Sequence, residues 1–70
     1  MLTFWLVTGL DDHRWEIIER EDGTRFHRKE GHVLWLAGLP QTAPEDRLTP
    51  ASMRSNPYAL DASFAAIRRP

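Results

Sequence analysis

The chain has no cysteine. Disulfide staples and cysteine-ligated zinc, the usual reinforcements of very small domains, are therefore excluded. Lysine is nearly absent too: Lys29 stands alone among the arginines. Acids and bases almost balance, ten against nine, for a formal net charge of −1. A wholesale polyanion binder carries a strongly basic domain, so only a local basic patch is compatible with this total. No apolar run approaches the ~20 residues of a membrane-spanning helix. Residues 1–10 are apolar but have neither a basic n-region nor a small-residue cleavage site, so we expect no signal peptide and a cytoplasmic location. Glycine is sparse and scattered singly, at Gly9, Gly23, Gly31 and Gly38, which marks turns and leaves no Gly-rich phosphate loop.

What the chain does have is aromatic bulk. Seventy residues make one small domain, and a chain of that order buries only about 60% of its unfolded surface. Trp5, Trp15, Trp35, Phe4, Phe26, Phe64 and Tyr58 must supply much of its core, at about 150–250 Å² each. Three zones follow from composition. Residues 1–39 are dense in apolar and charged residues and read as a β-sheet. Residues 40–56 form a proline-rich connection holding Pro40, Pro44 and Pro50, with a short helical turn opened by Thr49-Pro50. Residues 57–69 read as a helix opened by Asn56-Pro57, with Leu60, Phe64 and Ile67 as one apolar stripe. The fold class expected is α+β: a three- to four-stranded antiparallel β-meander, a proline-rich connection and a C-terminal helix.

Strands are expected over residues 2–8, 13–20, 24–30 and 33–37, with short helices as the alternative for the first and last. The middle hairpin can be registered. A three-residue loop, Glu21-Asp22-Gly23, suits a type I turn followed by a left-handed glycine. It sets Glu19 against Arg25, Ile18 against Phe26, Ile17 against His27 and Glu16 against Arg28. The rival two-residue loop, Asp22-Gly23, would set Arg20 against Arg25, and like charges directly opposite are unfavourable.

The first strand does not alternate. Leu2, Phe4 and Leu6 point one way, Trp5 and Val7 the other; Val33 and Trp35 oppose Leu34 and Leu36 in the last. Strands apolar on both sides want cover on both sides. One helix covers one face. The second face is covered by the proline-rich segment wrapping back, by a partner protein, or by a second copy of this chain.

The side chains present bear on three chemistries. Arg25-Phe26-His27-Arg28-Lys29 interleaves cations with an aromatic, a pattern that suits phosphate contact and base stacking, with Trp15 nearby. Glu16 and Glu19 lie across the hairpin and oppose that field. His13, His27 and His32 lack a metal-ligand spacing, so no metal and no cofactor are expected. Ser52, Ser55 and Ser63 lack a nucleophile elbow, and a chain of this size leaves little room for a substrate pocket. No catalytic residue and no small-molecule substrate are inferred.

The expectation is a non-enzymatic protein-interaction or regulatory module that self-associates, as a homodimer, or binds a protein through an apolar sheet face around Trp5, Val7, Val33 and Trp35. The alternative is a nucleic-acid-binding regulator using Trp15, Arg25, His27, Arg28 and Lys29.

Overall fold

The computed structural model describes residues 2–55. They form an antiparallel sheet of five strands: β1 Thr3–Thr8, β2 Arg14–Glu19, β3 Arg25–Lys29, β4 Leu36–Ala37 and β5 Met53–Arg54, in the spatial order β4-β3-β2-β1-β5. The helix expected over residues 57–69 lies outside the described residues.

The central hairpin has the register read from its charges. Glu19 faces Arg25, Ile18 faces Phe26, Ile17 faces His27 and Glu16 faces Arg28. Gly23 takes φ 87°, as the three-residue loop requires. The Arg20 N–H donates to the Thr24 carbonyl and the Gly23 N–H to the Arg20 carbonyl, which closes the turn.

The last strand of the meander differs from expectation. Only Leu36–Ala37 pair with β3, and residues 32–35 are irregular. The reason is Trp35. Its ring lies in the core cluster with Phe4 and Ile18, beneath the Arg28 guanidinium at 4.3 Å, and Arg28 Nη1 also donates to the Val33 carbonyl. Packing pulls the segment inward where a longer ladder would have kept it at the edge. The fifth strand, β5, was not anticipated. Two residues carry no readable alternation, and they pair with Phe4 and Trp5 of β1.

Each face of the sheet has its own cluster, as the two-sided β1 demands. Phe4, Ile18 and Trp35 occupy one, with Leu2, Leu6 and Phe26 around them. Trp5, Val7, Ile17 and Ala43 occupy the other, with Trp15, Leu39 and Leu48 against them. Ala43 comes from the proline-rich segment and is fully buried. That segment therefore wraps back over the second face, the first of the three covers considered above. Its path includes 3-10 turns at Glu45–Arg47 and Pro50–Ser52, the latter opened by Thr49 as expected. The Trp5 Nε1–H is buried with no acceptor among the described residues. That penalty, about 1–3 kcal/mol, is offset by burial of the ring, about 4–6 kcal/mol at ~25 cal/mol per Å².

The cover is tied down where it crosses the β1–β2 turn. Asp11 accepts from Thr42 Oγ1 at 2.9 Å, from the His13 N–H at 3.1 Å and from Trp15 Nε1 at 3.4 Å. The Leu10 N–H donates to the Thr42 carbonyl at 2.6 Å. Gly9 sits under this crossing. A Cβ there would lie 2.7 Å from Asp11 Oδ1 and 2.8 Å from the Thr42 carbonyl oxygen. Arg47 Nη1 to the Thr8 carbonyl and Arg25 Nη1 to Glu45 complete the attachment.

Two outcomes follow from the crossing. Gly9→Ala should lower the unfolding free energy by about 1–3 kcal/mol through overpacking. Gly23→Ala, in open space but at positive φ, should cost about 1 kcal/mol through backbone strain alone. Urea unfolding of both variants checks this, and a smaller loss at Gly9 would mean the cover is not seated there. Loss of hydration pushes the Asp11 carboxyl up, but the hydrogen bonds from His13, Thr42 and Trp15 outweigh it and hold its pKa below the ordinary 3.8. A depressed carboxyl stabilises the fold above its unfolded pKa, and that contribution is lost as pH falls through the lower folded value. Asp11→Asn should therefore be less stable than the parent at neutral pH, and the gap should narrow as pH falls through the lowered folded value, as read by urea unfolding across pH.

Candidate functional site

Strand β3 carries the densest group of functional side chains, and the pleat divides them. Arg25, His27 and Lys29 share one face with Trp15 and Glu19; Arg28 points to the other with Glu16. The basic-aromatic residues singled out in the sequence are thus not assembled on one surface.

Most of their charge is spent internally. Arg28 Nε donates to Glu16 Oε1 at 2.7 Å, with both side chains only 6% exposed. Arg25 Nε donates to Glu19 Oε2 at 2.9 Å, and Arg25 Nη1 lies 3.3 Å from Glu45. The hydrogen bond to Glu19, against some loss of hydration, raises the Arg25 pKa above its already high ordinary value. His27 is buried, its Nδ1 2.7 Å from the Gly38 carbonyl, which makes Nδ1 the protonated nitrogen, and its ring meets Trp15 edge-on at 5.6 Å. Lys29 Nζ lies 5.8 Å from the centre of the Trp15 ring. Trp15, Arg25 and Lys29 keep partial exposure.

The apolar set is redistributed as well. Trp5 and Val7 lie beneath residues 39–48, and Trp35 is in the opposite cluster. None of the three forms an open sheet face. Val33 alone of the four is exposed, at 82%. It has exposed companions in Leu34 at 71% and Leu36 at 49%. Together these residues make an apolar margin along β4, an outer strand of the sheet. Sequence reasoning placed Leu34 and Leu36 on the face opposite Val33 and Trp35 because it extended β4 back to residue 33. The available signal was the run itself, Val33-Leu34-Trp35-Leu36, in which only one of four apolar residues fits a small core.

At the end of the sheet, a depression of about 300 Å³ is lined by Asp12, His13, Arg14, Lys29, Glu30 and His32. Its signs alternate, and Arg14 pairs with Glu30 at 3.7 Å. Among the described residues, no group of three or more histidines and carboxylates is placed to hold a metal ion. No helix among them is long and apolar enough to cross a membrane.

No family model matches the chain, and no curated protein or solved structure is significantly similar to it.

Breaking a buried pair by removing one partner leaves an uncompensated charge, typically at a cost of about 3–5 kcal/mol. Arg28→Met should therefore destabilise strongly. Glu16→Leu in the same chain should restore much of the loss, because two apolar groups desolvate without penalty. Chemical denaturation of the two single variants and the double variant closes the cycle. A double variant no better than Arg28→Met would show that Glu16 is not the charge being compensated.

Proposed function

We propose that this protein is a small, non-enzymatic protein-interaction module, and that it self-associates or binds a protein partner along the β4 margin. A cytoplasmic location, expected from the sequence, belongs to the same reading. The observation that carries it is the exposure of Val33, Leu34 and Leu36 beside an outer strand. Outer strands present unpaired backbone groups, and an added strand gains main-chain hydrogen bonds while side-chain contacts give selectivity. The opposite margin, β5, offers one large exposed apolar residue, Met53, beside Arg54. The pairing of Arg25 and Arg28 with carboxylates weighs against the nucleic-acid alternative, since phosphate contacts draw on uncompensated cations.

Burying a large aliphatic side chain yields about 1.5–3 kcal/mol. Three per protomer are largely offset by an association cost of about 4–15 kcal/mol, so a weak complex is expected. Sedimentation velocity over a wide concentration range is thus the fitting measurement. The parent should gain mass with concentration, and Val33→Glu with Leu34→Glu should remain monomeric without change in unfolding. A parent that stays monomeric throughout defeats the self-associating form of the proposal. A salt-dependent mobility shift of DNA, lost on Arg25→Glu with Lys29→Glu, would favour the alternative instead.

A further inference from the structure

We propose that the outer margin of β1 holds a binding site for a phosphate group carried by a small molecule, with Arg47 and Arg54 as its cationic ligands. This site lies at the margin opposite β4 and is independent of the interaction surface proposed there.

Strand β5 pairs only with Phe4 and Trp5, so Leu6, Val7 and Thr8 have no strand partner on that side among the described residues. A cavity of about 270 Å³ opens there. Arg47, Thr49, Ser52 and Arg54 line it together with this stretch of β1. The volume admits a phosphate group and the first atoms of whatever carries it.

The charge is what singles the cavity out. Arg14, Arg20, Arg25 and Arg28 each pair with a carboxylate. Among the described residues, Arg47 and Arg54 have no such partner, and both line this one cavity. They are also held in place. Arg47 Nη1 donates to the Thr8 carbonyl at 2.9 Å. Arg54 Nη1 donates to the Ala51 and Met53 carbonyls at 2.9 Å each. Among the described residues, the Nε and Nη2 side of each guanidinium meets no hydrogen-bond acceptor. The turn between them is braced by Ser52 Oγ, which accepts from the Thr49 N–H at 3.0 Å and donates to the Arg47 carbonyl at 2.9 Å.

A guanidinium presents a planar fork of donors that matches phosphate oxygens two at a time. Two forks exceed what one carboxylate, with two oxygens, can accept in that geometry. A phosphate carried on a small molecule has three terminal oxygens around a tetrahedron and can accept from both forks by sharing one oxygen between them. Among the described residues, no acid lines the cavity to oppose the anion.

The test is a nitrogen–proton NMR titration of the full chain at low ionic strength with inorganic phosphate. Sodium chloride at matched ionic strength and succinate serve as comparison arms. Phosphate should give saturable shifts concentrated at residues 6–8 and 47–54, which chloride does not reproduce. Arg47→Gln with Arg54→Gln should weaken binding at least about tenfold, the scale of losing a charge-assisted hydrogen bond. Arg54→Lys, which keeps the charge but not the fork, should fall between. Because Arg47 also fastens the cover, spectra of each variant must first match the parent away from the cavity; Arg54→Gln alone, at the chain's exposed margin, must still weaken binding. Shifts that chloride reproduces, that fail to saturate, or that persist in the variants overturn the site. Succinate binding as tightly as phosphate overturns the phosphate assignment.

Discussion

Two opposite charges set side by side in the middle of a small sheet must hold each other, because either alone would forfeit several kcal/mol of hydration. Glu16 and Arg28 are in that position, 2.7 Å apart and almost fully buried. Their pairing fixes more than a local contact. A one-residue slip of β3 against β2 would send them to opposite faces and would also part Glu19 from Arg25 and Ile18 from Phe26. From the same guanidinium, contacts run on to the Trp35 ring and the Val33 carbonyl. The pair thus sets the hairpin register and, through Arg28, the place where the chain leaves β3 and turns toward β4.

That chain of contacts also explains which parts of the fold were legible. The hairpin was readable because Glu19–Arg25, Ile18–Phe26 and Glu16–Arg28 are complementary with the three-residue loop, whereas the two-residue loop sets Arg20 against Arg25. The cap of the Pro50–Ser52 turn was readable because Thr49-Pro50 is a local signal. The extent of β4 was not, because the pull of Trp35 toward Phe4 and Ile18 under Arg28 is a tertiary event with no trace in periodicity. Likewise β5 is two residues long, too short to alternate. The candidate site suffered more than the fold. Trp5 and Val7 were correctly read as apolar on the far face, yet the sequence left open what covers that face. Only the burial of Ala43 answers it.

The proline-rich segment is the less obvious half of the architecture. Its own backbone N–H groups are used largely in local turns, so it is attached to the sheet by other contacts: Thr42 to Asp11, Leu10 to Thr42, Arg47 to Thr8, Arg25 to Glu45. Two reach the β1–β2 turn, one reaches β1 and one comes from β3. Scattered links of this kind let a segment without a ladder lie flat on a sheet. The cluster of Trp5, Val7 and Ile17 then closes over a single small residue, Ala43, where a larger one would lift the cover.

With buried clusters on both faces, surface for recognition remains chiefly along the margins, and the two margins are chemically unlike. Along β4 the exposed side chains are aliphatic and the charges behind them are neutralised in pairs. Along β1 the exposed side chains include two guanidinium groups without a carboxylate partner among the described residues. The same internal economy produces both. Every acid facing β3 is consumed by Arg25 or Arg28, which leaves β4 free of charge and free to attract apolar partners. Among the described residues, Arg47 and Arg54 pair with no carboxylate and donate instead to backbone carbonyls. The distribution of ion pairs within the sheet, rather than the total charge, therefore decides which margin suits an apolar partner and which suits an anion.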